Sequence, residues 1–226
     1  MSICIIPARS GSKRIKNKNI KKINGIPLIG IVIKIAKNSG LFKRIIVSTD
    51  STKIALISKK YGAEVPFLRS KNLSNDFSPT HKVIIDAINK IRSYKEKFHF
   101  CIYPTSVLID KNDLKKALNK LKKNNSNFIC PIVKYESSPF RSFFIKNSYI
   151  QHTWPSYKMK RSQDLKDLYY DSGSFYIYRT NSLLKLKNRN FLPKKSTYII
   201  LKKKLIDVNY PSDLKSLKKL LKNKKK

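Results

Sequence analysis

Ile3-Cys4-Ile5-Ile6-Pro7-Ala8-Arg9-Ser10-Gly11-Ser12-Lys13-Arg14-Ile15-Lys16-Asn17-Lys18-Asn19 is the stretch from which the fold is read. Ile3 to Ile6 make the unbroken apolar run of a strand buried on both faces, and Pro7, with no N–H for a ladder, ends it. A polar loop follows. Arg9, Lys13, Arg14, Lys16 and Lys18 supply cationic donors, and the Ser10-Gly11-Ser12 turn is expected to bring backbone N–H groups close to an oxygen-rich ligand. A strand emptying into such a loop predicts a nucleoside triphosphate as guest. Two phosphate loops are excluded: the segment lacks G-x-x-x-x-G-K-[ST], and its single glycine cannot make G-x-G-x-x-G.

Downstream, the pattern alternates between buried strands and amphipathic helices. Gly25-Ile26-Pro27 turns the chain into a helix to about Lys37, with Pro27 placed as a first helical residue and Asn38-Ser39-Gly40 as its stop. Ile45 to Val47 is a second buried strand, and the Ser48-Thr49-Asp50-Ser51 cluster is expected to cap a helix over 53–61, Asp50 included. Ala63 to Leu68 reads as a further strand, ending in Arg69. Residues 70–79 form a loop, Thr80 is placed to cap a helix carrying Val83, Ile84, Ala87, Ile88 and Ile91, and Phe98 to Tyr103 is again strand. The exit Tyr103-Pro104-Thr105-Ser106 stands where open α/β sheets form their ligand crevice. Asp110 and Asp113 begin another helix, and 128–133 is strand.

From Tyr135 the periodicity changes. Phe143 to Ile145 and Ser148 to Ile150 read as a hairpin, an antiparallel excursion over 135–178 with more apolar and aromatic surface than it can bury alone; a homodimer interface follows. Phe175 to Arg179 returns as a strand, 180–198 carries no clear pattern, Leu205 to Asp207 reads as a short strand, and Pro211-Ser212-Asp213 opens a terminal helix before a frayed tail over 222–226. These elements predict one α/β domain over 1–226: a Rossmann-like, mainly parallel sheet flanked by helices.

Fifty Lys and Arg against thirteen Asp and Glu give a formal net charge of +37. Clustered cations of this kind serve nucleic acid, yet here lysine is spread over nearly every segment and accompanies abundant Ile and Asn, a compositional drift rather than a duplex-binding module. Specific nucleic-acid binding is therefore not expected. Cys4, Cys101 and Cys130 stand singly in apolar runs, as buried hydrophobes of a reducing compartment do. No run is long enough to span a membrane and no leader is evident, so a cytoplasmic protein is expected. His81, His99 and His152 lack partners at the spacing of a triad or a zinc site and read as structural.

Ala8-Arg9-Ser10-Gly11-Ser12-Lys13-Arg14-Ile15, continued by Lys18-Asn19, resembles the signature loop of the sugar-acid cytidylyltransferases, the CMP-sialic acid synthetase family, whose nucleotide-diphospho-sugar transferase fold agrees with the α/β pattern. The resemblance implies transfer of CMP from CTP to the anomeric hydroxyl of a nonulosonic acid, with release of pyrophosphate. It places Arg9, Lys18 and Asp207 in catalysis, and Ala8, Ser10, Gly11, Ser12, Lys13, Asn19, Arg69 and Thr80 around the nucleotide. It also implies Mg²⁺. The family's Asp-x-Asp is here Asp207-Val208-Asn209, so Asp207 and Asn209 are the expected metal ligands, with one acid replaced by an amide. Tyr103, Thr105, Ser106, Arg161, Gln163 and Asp171 are the expected sugar-acid residues. Tyr103 where sialic acid members carry Gln, with Arg161-Ser-Gln-Asp-Leu165 and Tyr170-Asp-Ser-Gly-Ser-Phe-Tyr176, is most similar to the pseudaminic acid subfamily. N-acetylneuraminic and legionaminic acid remain the alternatives.

Overall fold

The computed structural model describes residues 2–186, 192–203 and 205–223. In chain order the elements are β1 (Ser2–Pro7), β2 (Lys22–Ile23), β3 (Ile26–Pro27), α1 (Leu28–Ser39), β4 (Phe42–Ser48), α2 (Thr52–Lys60), α3 (Thr80–Ile91), β5 (Phe98–Ile102), α4 (Lys111–Lys123), β6 (Phe128–Lys134), β7 (Phe143–Lys146), β8 (Tyr149–His152), β9 (Tyr169–Asp171), β10 (Phe175–Arg179), α5 (Thr180–Leu184), β11 (Ser196–Ile200) and α6 (Pro211–Asn223). The main sheet runs β11-β6-β10-β5-β1-β4. Its pairings are parallel except those of β10 with β5 and β6 and of β9 with β6. β9 and β10 lie end to end along one edge of β6, and residues 172–174 break the strand between them.

The first strand explains the layering. Successive side chains of a strand face opposite ways, and Cys4 and Ile6 enter one core with α1, α4 and α6, while Ile3 and Ile5 enter the other with α3 and α5. Both faces are covered, so an alternating polar pattern was never available to β1. On α1 the buried stripe is Leu28, Ile29, Val32, Ile33 and Ala36, and truncating Leu28 to Ala would cost about 2–5 kcal/mol. Gly40 ends this helix at φ 67°, a left-handed position where a Cβ is costly.

Several expectations are corrected. Residues 63–69 form no strand: they contact β4 through two parallel bridges, Ile46 to Glu64 and Thr49 to Leu68, because Pro66 interrupts the ladder. Leu205 to Asp207 is irregular, and Pro27 precedes α1 as its cap residue rather than opening it. Ser51 alone caps α2, accepting from the Ile54 N–H, and Asp50 turns elsewhere. Thr80 is the first residue of α3 and its hydroxyl makes no cap. Residues 187–191 of the patternless segment and 224–226 of the tail lie outside the described residues. His99 is a core residue as expected, bridging Ser93 and Thr180, and burial lowers its pKa to about 4.

The excursion is a hairpin of β7 and β8 turned by Asn147 and Ser148, both at positive φ, as a two-residue hairpin turn of the primed type requires. Phe143, Phe144, Ile145, Tyr149, Ile150 and Trp154 are all exposed on it or beside it. Among the described residues no helix is long and apolar enough to cross a membrane.

Candidate active site

The loop after β1 opens into a cleft of about 380 Å³ at the carboxyl ends of β1 and β5. The loop contributes Arg9, Ser12, Lys13, Arg14, Lys18 and Asn19 to its lining, the 69–80 segment Arg69, Asp76, Ser78 and Thr80, and the remainder includes Tyr103, Thr105 and Asn209. Five cationic side chains thus converge on one cavity. Lys18 is half-buried and donates to the Val208 carbonyl at 2.8 Å; burial lowers its pKa, with the Asp207 charge opposing. Asn19 fixes the loop from beneath by donating to the Arg9 carbonyl at 2.9 Å.

Arg69 is 6% exposed, its Nε donates to Ser74 Oγ at 3.2 Å, and its Nη2 is buried without a hydrogen-bond partner. Burial pushes its pKa down. Such an orphaned donor carries a cost of a kilocalorie or more unless a ligand meets it, about 1–3 kcal/mol for a typical buried group.

Two carboxylates that the sequence reading did not place here organise the cations. Asp50 accepts from the Ser10 N–H and from the Ser10 hydroxyl, both at 2.7 Å. Asp76 bridges Arg9 and Lys13, the latter at 2.8 Å, and the hydrogen bonds from Lys13 and then Arg9 hold its carboxyl below the ordinary value. The expected cradle of backbone N–H groups is therefore overturned for Ser10 and Ser12: Asp50 takes the Ser10 N–H, and the Ser12 N–H donates to the Ser10 carbonyl. Side chains, not the backbone of these serines, supply the loop's charge. Gly11 has an ordinary φ, and a Cβ there would meet only Arg9 Nη1, at 3.8 Å.

Not every expected residue faces this cleft. Ala8 is fully buried with its N–H on the Ser48 carbonyl. Ser106 and Asp207 line a small adjoining cavity with Thr105 and 172–174, and Ser106 Oγ donates to the Ser174 carbonyl at 2.6 Å. Asp171 holds the Tyr176 hydroxyl at 2.5 Å and the Gly173 N–H at 2.9 Å. Arg161 and Gln163 are exposed on the excursion and are not among the residues lining either cavity, and Arg161 pairs with Asp164 at 2.8 Å. Asp213 orders the segment above the cleft by accepting from the N–H groups of Asn209 and Tyr210, whose hydrogen bonds lower its pKa.

The cytidylyltransferase family profile matches residues 3–225. Pseudaminic acid cytidylyltransferase of Campylobacter jejuni subsp. jejuni serotype O:23/36 (strain 81-176) is 36% identical over 98% of this chain and 96% of its own. CMP-N,N'-diacetyllegionaminic acid synthase of Legionella pneumophila subsp. pneumophila (strain Philadelphia 1) is 30% identical over 97% and 95%. Among solved structures, CMP:2-keto-3-deoxy-manno-octonic acid synthetase complexed with CTP aligns over 99% of both chains at 15% identity and a TM-score of 0.75, a likeness of fold. With the profile and a full-length relative agreeing with the loop, the strand order and the cationic cleft, this chain belongs to the cytidylyltransferase family and is a nucleotidyltransferase.

Proposed function

We propose that the protein transfers CMP from CTP to the anomeric hydroxyl of pseudaminic acid, giving CMP-pseudaminic acid and pyrophosphate. The observation that carries this is the convergence of Arg9, Lys13, Arg14, Lys18 and Arg69 on one cleft in a chain similar over nearly its whole length to a pseudaminic acid cytidylyltransferase. In the reaction the anomeric oxygen bonds the α-phosphorus, the α–β bridge breaks, and the hydroxyl proton leaves to solvent. Such transfer is catalysed mainly by positioning and by neutralising the oxygens that gain charge. Arg9, Lys13 and Lys18 are suited to the triphosphate. Asp76 takes one nitrogen of Arg9 and that of Lys13, and their remaining N–H donors are available to phosphate oxygens. Arg69 and Thr80 are suited to the cytidine end.

The adjoining cavity, with Thr105, Ser106 and Asp207, is the nearest place for the sugar acid. Arg161 and Gln163 of one protomer do not reach it as placed; in a homodimer built on the excursion they are available to a partner's site. Among the described residues no three His, Cys, Asp or Glu cluster as a metal site. Asp207 and Asn209 are in contact, with Asn209 Nδ2 donating to Asp207 Oδ2 at 2.6 Å; with that amide turned over, its oxygen and the Asp207 carboxylate would offer hard ligands to an Mg²⁺ that draws its others from substrate phosphates and water. Bound there, Mg²⁺ would add positive charge against the phosphates.

Pyrophosphate release from CTP and Mg²⁺ at moderately high salt, with pseudaminic and N-acetylneuraminic acids in parallel, tests the reading. Release selective for pseudaminic acid is expected. Release with the other acid alone would keep the transfer and overturn the choice of sugar. The similarity to a legionaminic acid synthase makes that acid the third substrate to run.

A further inference from the structure

Lys194-Lys195-Ser196-Thr197-Tyr198-Ile199-Ile200-Leu201-Lys202-Lys203-Lys204 is a strand-forming run bracketed by five lysines. Its centre is β11, the end strand of the main sheet: β6 pairs with it on one side, and among the described residues no strand pairs with it on the other. The Leu201 N–H donates to the Ile132 carbonyl, and the Lys195 carbonyl accepts from the Asn127 N–H, so the odd-numbered residues turn their peptide groups towards β6. Successive residues of a strand alternate in this respect. The N–H and C=O groups of Ser196, Tyr198 and Ile200 therefore lie on the open edge. The side chains of Tyr198 and Ile200 are exposed too. Two cavities, of about 810 and 860 Å³, flank this strand, and Ile200, Leu201, Lys202 and Lys203 line both. The first also takes in Lys116 and Tyr198, the second Tyr135 and Tyr170. Lys203 is held by Asp110 and Asp113, whereas Lys116 and Lys202 have no acidic partner among the described residues.

We propose that β11 takes up, as an added strand, an extended segment of a partner protein that is apolar in its middle and acidic at both ends. Strand addition draws affinity from main-chain hydrogen bonds and specificity from pockets for alternate side chains. This edge has unpaired main-chain groups, exposed apolar side chains beside them and a cavity to either hand. An open edge is also a template for the same edge of a second copy. Here that pairing would set one lysine-bracketed strand against another, on chains of net charge +37. Like charge excludes the copy, and the same lysines attract carboxylates at the two ends of an incoming strand. No residue of β11 lines the cationic cleft, so a segment seated here leaves the cleft open.

Fluorescence anisotropy at physiological salt tests this with a labelled peptide, Val-Ile-Thr-Ile-Val flanked by Glu-Glu on each side. Its controls are a peptide with proline at the central position and one with lysines in place of the glutamates. The acidic peptide is expected to bind with a Kd below about 1 mM, and each control about tenfold or more weakly. Tyr198→Pro removes an outward N–H and leaves the β6 ladder intact, since an edge strand accepts proline where its nitrogen faces solvent. It is expected to bind about tenfold more weakly than Tyr198→Ala, which keeps the N–H. Lys116→Glu with Lys202→Glu should weaken binding by a similar factor, and keeps the test open if Tyr198→Pro fails to fold. A Kd above about 1 mM for the acidic peptide overturns the proposal. Equal binding of the proline-interrupted peptide overturns it as well, because charge alone would then hold the peptide. A dimer that Tyr198→Pro converts to monomer in sedimentation would give the edge to a second copy and overturn it too.

Discussion

Lys18 shows how burial tunes a single charge. Its pKa lies below that of an ordinary lysine because burial disfavours the charged form, so its ammonium is present below that lowered value and lost above it. The rate of pyrophosphate release is expected to fall on an alkaline limb that Lys18→Arg moves upward or abolishes, since a guanidinium keeps its charge. Lys18→Ala should lower turnover roughly 100-fold or more, as loss of one charge-stabilising donor does. Asp50 acts differently, by spending Ser10 on itself. Asp50→Ala is expected to raise the KM for CTP about tenfold and to cost about 2 kcal/mol in a denaturant melt, the scale of lost charge-assisted hydrogen bonds. An unchanged KM would mean that the loop keeps its shape without the clamp. Asp50 was not legible as a clamp: forty residues separate it from Ser10, and next to a helix start an aspartate reads as a cap.

The elements were largely legible because both sheet faces are covered. Runs such as Phe98–Ile102, buried throughout, carry a strong strand signal, and helix stops at Gly40 and Asn124 follow from local chemistry. The start of α4 is a full capping box: Asp110 accepts from the N–H groups of Asn112 and Asp113, and Asp113 accepts from the Asp110 N–H. Lys203 binds both acids, at 2.7 and 2.5 Å. Asp110→Ala is thus expected to destabilise the protein by about 1–2 kcal/mol, and a thermal melt should show the loss shrinking in high salt as the Lys203 share is screened. The elements misread were those with mixed signals. Residues 63–69 have strand composition, yet Pro66 leaves them only bridges.

At the scale of the molecule, the main unsettled surface is the excursion. A two-stranded hairpin is marginal by itself, and this one exposes Ile145 at 78%, Tyr149 at 75% and Ile150 at 69%. The homodimer proposed on this excursion would cover those side chains with a second copy of the chain. Replacing 135–158 with a short turn is expected to halve the mass seen by sedimentation. A full-length protein that already sediments as a monomer would sink the dimer.

The sequence alone determined the α/β class, the cationic loop and the family resemblance, because these rest on period, composition and spacing within short stretches. It also placed Arg9, Lys13, Lys18, Arg69 and Thr80 among the nucleotide residues, and all five line one cleft. Only the tertiary structure decided what each hydroxyl and carboxylate in and around that cleft is bonded to. Asp76 to Arg9, Asp50 to Ser10 and Thr80 to Tyr103 are contacts across 67, 40 and 23 residues. A hydrogen bond's partner and direction depend on what folding brings within 3 Å or so, and no local pattern in the chain records that.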